Sequence, residues 1–362
     1  MNAHRTVLVT GGAGFIGVAI ARRFAETADR WVVVDSLHPQ VHASGERPAE
    51  LADAAELIVG DVTDANVWDA VLSGVRPDVV IHLAAETGTA QSLDEATRHA
   101  EVNVVGTTRM LDAFTRHGIV PSHIVLSSSR AVYGEGRWAS TVSGVESYPG
   151  QRTHAQLEAG EWDVAGATAV PSSATSTVPH PTSVYGATKL AQENVLAAWC
   201  ASRDAALTVL RLQNVYGPGQ SLINSYTGIV SLFSQLARDG KSIPVYEDGL
   251  ITRDFVFIDD VAAAFEAAVA VGGAAGRRTL DVGTGVGVMI HELATEIAAY
   301  HDAPAPHISG AYRDGDVRYA GCTIDETRRI LGWSPAFSLT QGIVELQTWI
   351  AGELGVRASA SA

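Results

Sequence analysis

The sequence predicts a doubly wound α/β fold, a parallel sheet covered by helices on both faces, with a smaller C-terminal α/β domain. Two observations carry this. Short β-branched runs alternate with helical patterns through the first third of the chain, and these runs are apolar throughout, as in parallel strands buried on both sides. Hydrophobic residues make up 46% of 362 and charged residues only 18%, enough for a sizeable core and unlike a disordered or coiled-coil chain.

Taken in order, TVLVT at 6–10 reads as the first strand, 15–28 as a helix and WVVVD at 31–35 as the second strand. LIVGD (57–61), DVVIHLA (78–84) and HIVLSSS (123–129) repeat the theme, and a long helical pattern covers 91–117. Such alternation implies right-handed crossovers. From 134 to 181 the periodicity dissolves into Gly, Ser, Thr, Pro and Ala. That stretch reads as a surface insertion without regular structure, or as a flap over the site. A helix over 183–202 and the strand LTVLRL (207–212) follow. DFVFIDD begins a further strand and helix, RTLDVG (278–283) is another strand, and the terminal RASASA reads as a frayed tail.

The formal net charge is −15, so nucleic-acid and membrane partners are disfavoured and any phosphate must be held by local positive features. Cys200 and Cys322 have no partner at metal-ligand spacing and form no disulfide framework. No signal pattern or membrane span is read, and a cytoplasmic protein is the expectation.

TGGAGFIG (10–17) directly follows the first strand and opens the first helix. Gly11, Gly14 and Gly17 permit a tight turn, close approach of a pyrophosphate and close helix–strand packing, and the helix N-terminus offers free N–H groups at Phe15 and Ile16. Asp35 ends the second strand, where a carboxylate accepts the ribose hydroxyls and repels a 2′-phosphate, so NAD is expected over NADP. Asp61 ends the third strand, either reaching the adenine amino group or capping the next helix. This context predicts a Rossmann domain.

SVYGATKLAQE places Tyr185 and Lys189 four apart on a helix, hence on one face. Lowering a phenol from pKa 10 to about 7 takes about 4 kcal/mol of preferential stabilisation of the anion. A lysine cation, a nicotinamide cation and burial are expected to supply it, so that Tyr185 removes a sugar hydroxyl proton as hydride leaves for NAD. His38 and His42 lie in a Pro-containing loop and are not read as a metal site. GTGVG (283–287) reads as a turn.

GGAGFIG, Asp35, Asp61, HLAA (82–85), NVVGT (103–107), SSSRAVYG and Tyr185/Lys189 together resemble the extended short-chain dehydrogenase/reductase family, in its nucleotide-sugar epimerase and dehydratase group. The likeness spans nearly the whole chain outside the insertion. It implies that Ser129, Tyr185 and Lys189 are catalytic, and that Val62, Leu83, Ala84, Ala85, Asn103 and Ser127 join the glycine loop in lining the cofactor. Glu86, Ser129, Arg130, Asn214, Asn224, Tyr246, Arg253 and Arg313 are implied as substrate contacts, with Tyr246 stacking on the base and Arg253 and Arg313 clamping the diphosphate. Dehydratases of this group carry an Asp-Glu pair after the serine. Arg130 and Ala131 stand there instead, which disfavours dehydration.

The second half most resembles the branch acting on dTDP-6-deoxysugars. Some members have paired cysteines in the insertion, and this chain has none between 134 and 181. The resemblance implies NAD-dependent C-4 epimerisation of a nucleotide-activated sugar, with a 4-ketoreductase or dehydrogenase as rival and a non-catalytic NAD-binding regulator as the reading of another class. Residues 1–212 would form the NAD-binding domain, with 255–283 returning to it. Residues 213–254 and 284–352 would form the substrate domain, and 353–362 the tail. A homodimer through the helices at 91–117 and 183–202 is implied, with Val195, Leu196 and Trp199 on the apolar stripe.

Overall fold

The structure is a computed structural model that describes residues 5–42, 44–221, 228–273 and 276–360. The chain opens with β1 (Thr6–Thr10), α1 (Phe15–Phe24), β2 (Arg30–Asp35), β3 (Ala55–Val59), α2 (Ala65–Gly74) and β4 (Val79–His82). Residues 91–117, expected as one helix, are divided into α3 (Gln91–Asp94), α4 (Ala96–Ala100) and α5 (Gly106–Arg116), with a π-helical stretch, Glu101–Val105, before α5. The division has a polar cause. The π stretch turns Asn103 fully inward, where its amide binds both backbone groups of Glu86 and the Thr188 hydroxyl at 2.8–3.0 Å.

After β5 (His123–Ser129) comes the segment expected to lack regular structure, and it is ordered. β6 (Arg137–Ser140), β7 (Glu146–Ser147), α6 (His154–Glu158) and β8 (Ala167–Val170) form an antiparallel sheet in the order β7–β6–β8 with one short helix. Thr153 and Gln156 form a capping box at the start of α6. The unit is clipped to the C-terminal half by charge. Arg152 and Arg318, both buried, share buried Glu247 at 2.9 and 3.0 Å, and Arg318 also binds Asp163 at 2.8 Å.

The chain continues through α7 (Val184–Ala201), β9 (Ala206–Leu212), β10 (Asn214–Tyr216), α8 (Ile229–Arg238), β11 (Pro244–Val245), β12 (Thr252–Arg253), β13 (Phe255–Phe257), α9 (Ile258–Val271) and β14 (Gly276–Val282). It ends with β15 (Val288–Met289), α10 (Ile290–Tyr300), β16 (His307–Ile308), β17 (Tyr319–Ala320), α11 (Asp325–Leu331) and α12 (Leu339–Ala360). α12 runs past residue 353, where a tail is expected, because no proline interrupts it.

Seven strands pair in parallel in the order β14–β9–β5–β4–β1–β2–β3. The chain winds outward from β1 to β3 and restarts at β4 on the other side of β1. A crevice therefore opens beyond the carboxyl ends of β1 and β4. Alternate strand residues feed two cores. Leu8, Val32, Val80 and Leu126 pack with Trp68 and Phe114 on one face, and Val7, Val9, Val33 and Ile81 join the other, which runs on to Phe255, Phe265 and Leu293 of the C-terminal half. A fully buried large apolar side chain contributes roughly 1.5–3 kcal/mol, so these layers hold the crevice rigid. Leu196 belongs to the first core, so it is unavailable to the expected dimer stripe, whereas Val195 and Trp199 are only partly covered. Among the described residues no helix is long and apolar enough to cross a membrane.

Candidate active site

The crevice holds a cleft of about 1340 Å³, above the roughly 300–1000 Å³ usual for small-molecule pockets. Gly11, Gly14, Phe15, Ile16, Gly17, Asp35, Asp61, Val62, Leu83, Ala84, Ala85, Ser127, Ser129, Tyr185 and Lys189 all line it. Gly11 and Lys189, 178 positions apart, thus line one cleft.

Each glycine has its own reason. Gly11 has φ +66°, and a Cβ there would lie 2.7 Å from the Ala84 nitrogen. At Gly17 a Cβ would lie 2.4 Å from the Gly12 Cα, so only glycine lets α1 sit this close to the loop. At Gly14 a Cβ would meet only the Gly11 carbonyl, at 3.4 Å, and its open side faces the cleft. The first bond of α1 runs from Val18 N to Gly14 O at 2.9 Å, leaving the N–H groups of Phe15 and Ile16 ahead of it for an anion. Asp35 accepts from the Ala13 and Leu37 amides at 3.0 and 2.9 Å, which aims its carboxylate along the loop.

Asp61 accepts from the Thr63 amide and hydroxyl, both at 2.8 Å, and the cap of α2 is Asp64 instead. Asn103 does not line the cleft. It stands behind the wall and fixes the Glu86 backbone, because a fully buried amide must spend its donors and acceptor within the protein. Burial, then the charge of Lys189, pushes His82 down to about 3. The neutral ring lies 2.6 Å from the Thr10 hydroxyl, which in turn accepts from the Ala84 amide at 3.2 Å.

The reactive side chains come from α7 and the end of β5. Ser183 caps α7 by accepting from the Gly186 amide at 3.0 Å. A Cβ at Gly186 would lie 2.5 Å from the Ala131 carbonyl, so this glycine lets α7 press on the turn after Ser129. Burial raises the Tyr185 phenol, against the expectation that burial helps acidify it, because desolvation disfavours the anion. The neighbouring Ser129 side chain and then the charge of Arg130 oppose that rise. Lys189 is 2% exposed. Burial pushes it down to about 7, with the Glu193 carboxylate resisting.

Glu193 is invisible to a motif search, although its spacing of four from Lys189 is a signal. It is fully buried and accepts from Ser128 Oγ at 2.6 Å, from Arg211 at 2.8 and 2.9 Å, and from Arg277 at 2.7 Å. It thereby ties α7 to β5, β9 and β14.

The expected substrate contacts are more dispersed. Glu86 lines the cleft, paired with Arg98 at 2.9 Å. Arg130 is half-buried in a side recess with Thr89, Ser183 and Asp316, near Arg253, which pairs with Asp316 at 2.9 Å. The exposed Arg313 lies 5.0 Å over the Tyr246 ring. Asn214 Oδ1 is buried without a partner. Asn224 lies outside the described residues. The GTGVG turn is filled by the Asp254 carboxylate, which accepts from the Thr284 and Gly285 amides at 2.7 and 2.9 Å.

An open glycine face, free helix N–H groups, the Asp35 carboxylate and the buried Lys189 amine in one cleft fit a dinucleotide. Residues 7–283 match the model of the NAD dependent epimerase/dehydratase family. A dTDP-L-rhamnose 4-epimerase of Burkholderia thailandensis is 60% identical over 97% of this chain and 96% of its own. Two solved UDP-glucose 4-epimerases superpose on it. That of Thermotoga maritima, with UDP-glucose, has a TM-score of 0.78 at 28% identity, covering 96% of this chain and 99% of its own. That of Thermus thermophilus, with NAD, has 0.74 at 26% over the same shares.

Proposed function

The chain belongs to the NAD dependent epimerase/dehydratase family, and we propose that it epimerises a dTDP-activated 6-deoxyhexose at C-4 through a transient 4-keto sugar. The observation that carries this is the single cleft shared by the glycine loop, Asp35, Ser129, Tyr185 and Lys189. NAD would lie along Gly11–Gly17 and Asp35, and when bound it supplies a reversible hydride acceptor at the sugar carbon.

The protein's own part is proton transfer and grip. Ser129 holds the C-4 oxygen against Tyr185. Tyr185 takes the hydroxyl proton and later returns one to the ketone oxygen. Lys189, partly protonated at neutral pH and fully so below it, would stabilise the phenolate from one helical turn away, and the charge of Arg130 lowers the phenol. Arg130 and Ala131 offer no acid–base pair for expelling water, so dehydration has no residues to perform it there. Identity to the Burkholderia enzyme across nearly the full length supports the dTDP-deoxysugar over other nucleotide sugars.

We assign a homodimer through the 91–117 segment and α7, where Val105, Val195 and Trp199 leave apolar surface uncovered, and a cytoplasmic site of action, which suits the two buried free thiols. A monomer in light scattering would reject the dimer.

The test is incubation with dTDP-L-rhamnose and catalytic NAD. Epimer without stoichiometric NADH supports the proposal, whereas stoichiometric NADH favours the dehydrogenase reading. Tyr185→Phe is expected to abolish turnover while retaining NAD, and unchanged turnover would refute Tyr185 as the acid–base group.

A further inference from the structure

β2 and β4 flank β1 on opposite sides, so their carboxyl-end loops are about 10 Å apart, two strand spacings, with the glycine loop between them. Any bond between those two loops must cross the crevice. Three such contacts exist. Gln40, in the loop after β2, donates through Nε2 to Gln91 Oε1 at 3.0 Å and accepts from Gln91 Nε2 at 3.4 Å. Its Oε1 also accepts from Arg98 Nη2 at 2.9 Å, and the same nitrogen donates to Glu86 Oε1 at 2.9 Å. The far anchor is itself braced, since Glu95 accepts from both Arg98 and Gln91, at 2.8 and 3.1 Å. Gln40, Glu86, Gln91, Glu95 and Arg98 all line the cleft.

We propose that this bridge is a clasp over the cofactor, with Gln40 and Arg98 as positioning residues that set how long NAD stays bound. The inference rests on the proposed NAD-dependent epimerisation. In that reaction one cofactor must return what it accepted, and a cofactor that leaves in mid-cycle strands the ketone. A latch of two side-chain amides and one guanidinium suits the task. Each contact is individually weak, so the clasp can open for loading, while release requires all the crossing contacts to part at once. Gln40 spans both partners, so removing it severs all three crossing contacts without leaving a charge unpaired.

The experiment uses the NAD-loaded enzyme, with bound NAD chased by isotopically labelled NAD and followed by mass spectrometry. Gln40→Ala and Arg98→Ala are each expected to speed NAD release tenfold or more, with association changed far less, a split that a general loss of structure would not produce. Apo-protein unfolding of both variants checks that the fold is intact. Wild-type exchange with both variants within twofold of it would overturn the clasp alone. A wild type that takes up no NAD would overturn the cofactor reading together with the clasp.

Discussion

Replacing Glu193 by Gln removes one negative charge from a site with no solvent. The carboxylate is 0% exposed, and its four donors come from Ser128, Arg211 and Arg277. One oxygen takes Ser128 and the Arg211 Nε, and the other takes the terminal nitrogens of both arginines. A glutamine amide keeps one acceptor and turns the other into a donor facing donors. Arg211, 3% exposed, then remains buried without a counter-charge. Breaking such a pair from one side costs about 3–5 kcal/mol, most of it the stranded charge. Denaturant unfolding of the apo protein should show this loss at unchanged slope. Glu193→Gln/Arg211→Met should cost less than the sum of the singles, because the second change removes the charge the first exposes. A loss below about 1 kcal/mol, or simple additivity, would refute the assignment of Glu193 as the electrostatic tie between the catalytic helix and the sheet.

Gly17→Ala places a methyl 2.4 Å from the Gly12 Cα with only backbone to yield. We expect about 1–3 kcal/mol of destabilisation and at least tenfold weaker NAD binding by titration; binding within twofold of wild type would contradict the close-packing role. Lys189 loses its proton near pH 7 in the fold and near 10.5 when unfolded. Between those values the unfolded chain holds the extra proton, so stability should rise with pH across that window and be flat below it, by up to ~5 kcal/mol at 1.36 kcal/mol per unit. Apo stability of wild type relative to Lys189→Met, measured from pH 6 to 10, should rise correspondingly, and a pH-independent difference would contradict it.

The sheet was legible because its strands are unbroken apolar runs, a pattern only a doubly covered parallel sheet makes stable. The glycine loop and the Tyr185–Lys189 pair were legible because local spacing alone brings their atoms together. The remainder depends on long-range polar partners. The insertion is held by Arg152 and Arg318 meeting at Glu247, 95 and 71 residues distant. The division of residues 91–117 follows from Asn103 reaching Glu86 and Thr188, which no periodicity records. The clasp joins Gln40 to Arg98 across 58 residues. Burial acts on Tyr185 in the sense opposite to that expected, and only Ser129 and the charge of Arg130 work against it.

Deuterium placed at C-4 of dTDP-L-rhamnose follows the reacting hydrogen itself. If oxidation and reduction occur within one closed cleft with Tyr185 moving only the hydroxyl proton, the epimer formed in ordinary water should keep its deuterium at C-4, and Tyr185→Phe should form none. Epimer that has lost the label to solvent would contradict the account, since the carbon-bound hydrogen would then have left through a protein base.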